Sequence, residues 1–101
     1  MKAPARPDAI YRFRLYMADD TPNGVQALAN LTALCDTYLP GRHEIEVVDV
    51  FAHPEEALAE NIFMTPTLMK LSPLPVRRVV GTLSNVPTVL QAMGLLEARA
   101  A

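Results

Sequence analysis

Hydrophobic and polar residues alternate along IYRFRLYM, residues 10–17: Tyr11, Phe13, Leu15 and Met17 fall on one face, Arg12, Arg14 and Tyr16 on the other. A period of two predicts a strand. The period then lengthens. Val25, Leu28, Leu31, Cys35 and Tyr38 follow at spacings of three and four, which predicts a helix with one buried face. Thr21 is placed to cap that helix, Pro22 takes the first helical position where a missing N–H costs nothing, and Pro40-Gly41 stops it. EIEVVDVF, residues 44–51, is near-continuously apolar after Glu46, as a strand covered on both faces would be. Strand, helix and strand with a crossover of this length imply a parallel pair.

In the second half, His53-Pro54-Glu55-Glu56 starts a second helix, with proline early and carboxylates near the positive end of the dipole. EEALAENIF carries it for about two turns. MTPTLMKL, SPLP and VRRVVG read as two short strands joined by a proline-rich turn. SNVPTVLQAMGLLEARA closes the chain with Val86, Val89, Leu90, Met93 and Leu96 at helical spacing, Ser84 or Asn85 as cap, and Gly94 weakening the helix. The order βαβαββα is an α/β fold on the thioredoxin-like plan. NIFMT and VPTVL also suit strands, so local propensity leaves a second arrangement of the C-terminal half open.

Composition narrows the class. A chain of 101 residues, half of them hydrophobic and a fifth charged, fits one domain, expected over residues 10–101. MKAPARPDA, residues 1–9, is expected to be a flexible arm, since it offers no apolar stretch long enough for a signal peptide. No run approaches a membrane span, so the expected location is the cytoplasm, with no membrane partner. A formal charge of −2 gives no general attraction to nucleic acid.

Candidate chemistry is sparse. A thioredoxin would carry two reactive thiols in the turn after the first strand, and this chain has Thr21-Pro22-Asn23-Gly24 there. Dithiol exchange is therefore excluded. The single cysteine, Cys35, falls on the apolar stripe of the first helix, away from the helix N-terminus that would lower its pKa, and reads as a packed thiol. His43, His53 and Asp49 share no useful metal-ligand spacing, and Glu55-Glu56 reads as dipole-compensating charge. The four glycines are scattered and form no phosphate loop. No cofactor, metal or catalytic residue is expected.

LYMADDTPNGVQAL, VVDVFAHPEEA, MTPTLMKLSPLPVRRVVGTLSN and the closing helix resemble the KaiB family of circadian clock proteins, over residues 10–97. T-P-T-L-x-K followed by the proline-rich turn and P-V-R-R-x-x-G-x-L-S-N carries the resemblance most specifically. It implies a non-enzymatic regulator that binds the N-terminal ring of the KaiC ATPase hexamer and opposes its autophosphorylation. It also implies two folds: a self-associated ground state, dimer or tetramer, and a monomeric thioredoxin-like state reached by rearranging the C-terminal half. A SasA-like histidine kinase is the implied competitor. Gln26 and Asn61 stand where cyanobacterial members carry basic residues, which leaves a KaiA contact open.

Lys70, Arg77 and Arg78 place three positive charges on the expected hairpin, where a solvated edge that discourages strand aggregation is their ordinary role; the resemblance implies instead partner contacts at Phe51, Asn61, Ile62, Lys70, Arg77 and Arg78. It implies a cis Thr65-Pro66 bond in the thioredoxin-like state and a fold switch involving Thr65, Pro66, Pro73, Pro75, Ala92 and Gly94. X–Pro bonds prefer trans by only about 0.5–1 kcal/mol but exchange slowly, so two folds using opposite isomers can be nearly balanced yet slow to interconvert. Ala92 replaces a glycine common in the family and favours the helical state. Two other readings stand beside this one: a redox protein acting through Cys35, which needs an exposed low-pKa thiol, and a detached SasA-like sensor domain, which lacks the proline-rich segment.

Overall fold

The computed structural model describes residues 9–95. The chain runs β1 (Tyr11–Met17), α1 (Pro22–Tyr38), β2 (His43–Asp49), α2 (Pro54–Ala59), β3 (Thr67–Ser72), β4 (Arg77–Val80) and α3 (Val86–Met93), the predicted order. The strands form one sheet in the order β2-β1-β3-β4. β1 and β2 are parallel, with Tyr11 opposite His43 and Met17 opposite Asp49. The β1–β3 and β3–β4 pairs are antiparallel.

Alternation in β1 feeds both faces of the sheet. Tyr11, Phe13, Leu15 and Met17 pack with Ala27, Leu31, Leu34 and Cys35 of α1 and Val89, Leu90 and Met93 of α3 in the principal core. Each of the larger apolar side chains contributes roughly 1.5–3 kcal/mol when fully buried. On the opposite face Tyr16, Val48, Ala57, Ile62 and Met69 form a smaller core under α2. That helix has six residues and leaves part of the face open. There Arg12 pairs with Glu44 at 3.1 Å and Arg14 with Glu46 at 2.8 Å, each arginine directly opposite its glutamate in the register.

Several sequence expectations are corrected. The buried face of α1 is Gly24, Ala27, Leu31, Leu34 and Cys35, while Val25 and Tyr38 are exposed and Leu28 is half-buried. Small residues decide this: a Cβ on Gly24 would come within 2.9 Å of Met17 Cε, so the helix lies close to the sheet where a larger residue would not fit. β2 is an edge strand and buries only Val48 fully, with Ile45 half-buried against the principal core. It ends at Asp49, whose carboxylate accepts the N–H groups of Asp19 at 3.2 Å and Phe51 at 2.9 Å. Tyr16, on the strand's polar face by pattern, is fully buried under α2.

The two later helices are also shorter than their patterns. α2 stops because Asn61 turns left-handed (φ 58°), Asn61 N–H bonding Leu58 O at 3.1 Å and Ile62 N–H bonding Ala57 O at 2.8 Å. This double bond pattern closes the helix and points Ile62 into the small core beside Ala57. α3 ends the same way at Gly94 (φ 80°), with Leu95 N–H bonding Leu90 O at 2.9 Å. Gly94 therefore terminates the helix and does not weaken it from within. Leu96 and residues 1–8 of the expected arm lie outside the described residues.

Candidate functional site

The turn after β1 is built as a helix start. Thr21 Oγ1 accepts the Gly24 N–H at 3.3 Å and Pro22 opens α1, as the sequence predicts. No thiol faces this turn. Cys35 is 0 % exposed, inside the principal core, and burial, with a smaller effect of the neighbouring Asp36 charge, pushes its pKa up to about 12. A thiol in that state is neither a nucleophile nor a redox partner at neutral pH.

The β3–β4 hairpin separates the three charges that the sequence groups together. Lys70 lies directly opposite Phe13 and Arg77, so both basic side chains share the sheet face of the principal core. Lys70 is only 5 % exposed, because β3 is an interior strand, and this corrects its expected place on a solvated edge. Arg77 is exposed. Arg78 points to the α2 face, where its guanidinium donates to the carbonyl oxygens of Asn61 and Glu60 and sits 4.0 Å from the Glu60 carboxylate.

Around Arg78 the chain forms a crevice of about 180 Å³ lined by Asn61, Ile62, Phe63, Met64, Thr67 and Val80. The structure thus brings Asn61, Ile62 and Arg78 together, whereas Phe51, Lys70 and Arg77 do not line this crevice. Phe51 is an exposed ring between β2 and α2, 73 % accessible. Phe63, 79 % exposed, and Met64 belong to no motif in the sequence that points to a contact. Their signal was the apolar run Ile62-Phe63-Met64 between a helix end and a proline, a segment in which only Ile62 reaches the core.

Of the residues tied to a fold switch, Thr65 and Pro66 precede β3, Pro73 and Pro75 form the β3–β4 turn, and Ala92 and Gly94 lie at the end of α3. The Thr65-Pro66, Ser72-Pro73 and Leu74-Pro75 bonds are all cis. His43 uses Nδ1 on the Leu39 carbonyl at 2.8 Å, with Nε2 3.8 Å from Asp36, while His53 lies beyond the far end of β2 near Glu56. Among the described residues no helix is long and apolar enough to cross a membrane.

Residues 14–95 match the KaiB domain profile. The circadian clock oscillator protein KaiB of Synechococcus elongatus is 41 % identical over 90 residues, covering 89 % of this chain and 88 % of that one. The protein of the same description from Thermosynechococcus vestitus is 42 % identical over 86 residues, covering 85 % and 80 %. Among solved structures, chloroplastic thioredoxin z superposes with a TM-score of 0.69 at 16 % identity, covering 88 % of this chain and 80 % of that one. Mitochondrial thioredoxin 3 from Saccharomyces cerevisiae gives 0.65 at 19 % identity, covering 86 % and 77 %. The fold is thioredoxin-like.

Proposed function

The chain belongs to the KaiB family, and from that membership we propose that it is a clock-type regulator, a binding protein and not an enzyme, that docks on the N-terminal ring of the KaiC ATPase and opposes its autophosphorylation. One observation carries the non-redox part of this reading: the family scaffold keeps the strand–turn–helix entry of a thioredoxin, yet its single cysteine is sealed in the core with a raised pKa. The scaffold then serves recognition, with no electrons moved.

Phe51, Asn61, Ile62, Lys70, Arg77 and Arg78 are the proposed partner residues. Burial divides their work. Phe51 and Arg77 are exposed and act by direct contact, the ring as an apolar anchor and the guanidinium by charge steering. Ile62 and Lys70 are buried and act by holding the surface in shape. Binding of this state is proposed to compete with a self-associated ground state, dimer or tetramer, in which the half containing Pro66, Pro73, Pro75, Ala92 and Gly94 is rearranged. A SasA-like kinase is the proposed competitor, and a KaiA contact is not part of the proposal.

The test is interferometry of this protein against its cognate KaiC hexamer, ADP-loaded and ATP-analogue-loaded, followed from minutes to hours. The expected result is slow association that favours the ADP form and weakens with salt. Absence of binding in both nucleotide states overturns the reading.

A further inference from the structure

We infer that the free edge of β4 is a strand-addition site for an extended partner segment that alternates acidic and apolar residues. Gly81 N–H bonds Pro66 O at 2.9 Å, which fixes the phase of the β3–β4 ladder. Val79 with Leu68 and Arg77 with Lys70 are then the hydrogen-bonded pairs, and the N–H and C=O groups of Arg78 and Val80 point outward from the sheet. β4 is an outer strand, and no loop backbone bonds to those groups among the described residues. Such a row is a template for another strand.

The side chains beside the edge select the occupant. On the α2 face the exposed Phe63, Met64 and Val80 flank a crevice floored by Ile62, an apolar concentration that a merely protected edge does not need. Arg78 on that face is already engaged by the Asn61 and Glu60 carbonyls. On the opposite face the exposed Arg77 makes no hydrogen bond or ion pair with another described residue, which leaves it able to receive a carboxylate. An added strand presents alternate residues to the two faces, so apolar side chains meet the crevice and acidic ones meet Arg77. A second copy of this chain is disfavoured, because pairing through this edge crowds both copies' Arg77 and Arg78 into one ribbon. The β2 edge carries the paired Arg12–Glu44 and Arg14–Glu46 in place of such a crevice. The inference goes beyond the ATPase reading, since it stands on the edge whichever protein supplies the segment.

The experiment is a titration of the ¹⁵N-labelled full chain with two synthetic peptides, acetyl-Glu-Val-Glu-Val-Glu-amide and its Lys counterpart. The glutamate peptide should shift the Arg78 and Val80 amides and slow their exchange with solvent, and the lysine peptide should not. Arg77→Glu and Val80→Pro should each weaken the response at least tenfold, while Val80→Ile, which keeps both the N–H and the apolar side chain, titrates like the parent. If Val80→Pro does not fold, Arg77→Glu and the amide exchange of the unsubstituted chain decide. Shifts centred on β2, equal responses to both peptides, or no response at β4 overturn the inference.

Discussion

Arg78 reaches back across the sheet face to Asn61: its Nη1 donates to the Asn61 carbonyl oxygen at 3.3 Å, and a second nitrogen of the same guanidinium donates to Glu60 O. One side chain on an edge strand thereby holds the loop that closes α2. Removing it in Arg78→Ala is expected to cost about 1 kcal/mol, below the usual range for a charged hydrogen bond, since the group is partly solvated. Asn61→Gly should be close to neutral because the residue sits at φ 58°, whereas Asn61→Ala should cost about 1 kcal/mol or more. Urea unfolding of the three variants checks the order, and an Asn61→Ala no less stable than Asn61→Gly would refute the role of the left-handed turn.

Cys35 should resist labelling by a thiol reagent in the native protein at pH 8 and react readily in denaturant. The raised pKa also fixes a sign. Above the free thiol's pKa of about 9 the unfolded chain loses a proton that the native chain keeps up to about 12, so the contribution is present below pH 9 and is lost as pH rises through that window. Cys35→Ala should therefore show a smaller fall in urea midpoint between pH 9 and pH 11 than the parent. Equal falls would mean that the thiol is not sealed.

Leu83 is a core residue held at φ 63°, a conformation that strains a bulky side chain. Leu83→Ala loses the packing and keeps the strain, at a cost of about 2–5 kcal/mol. Leu83→Gly loses the packing but relieves the backbone, so it should be no less stable than Leu83→Ala, against the usual order of alanine over glycine. Thermal unfolding of the pair tests this directly.

Thr21→Ala removes the acceptor for the Gly24 N–H and should lower stability by about 1 kcal/mol, with Thr21→Ser recovering most of it. Circular dichroism melts of both variants measure the difference. A Thr21→Ala melt unchanged from the parent would show that the cap contributes nothing to α1.

Much of the fold was readable because its signals are local. Thr21-Pro22 at the start of α1, the Ser84-Asn85 pair ahead of α3, of which Asn85 makes the cap, and the alternation in β1 each act within a few residues. The reversals of burial share one cause. Val25 and Tyr38 on α1, Val47 on β2 and Lys70 on β3 were assigned by hydrophobicity or charge alone, and each was reversed by which element lies above it in space. The crevice is readable only in part for the same reason: the resemblance points to Asn61, Ile62 and Arg78, while Phe63, Met64 and Val80 join them only because β4 pairs beside β3.

By itself, then, the sequence determined the order of elements, the cap that starts α1, and a turn without thiols, since these depend on neighbouring residues and on which atoms are present. Tertiary structure decided the strand order, the burial of Lys70, and the division of Arg77 from Arg78 between the two faces of one strand. Those outcomes depend on pairing between segments far apart in the chain, where a shift of one residue in register would exchange every side chain between the faces.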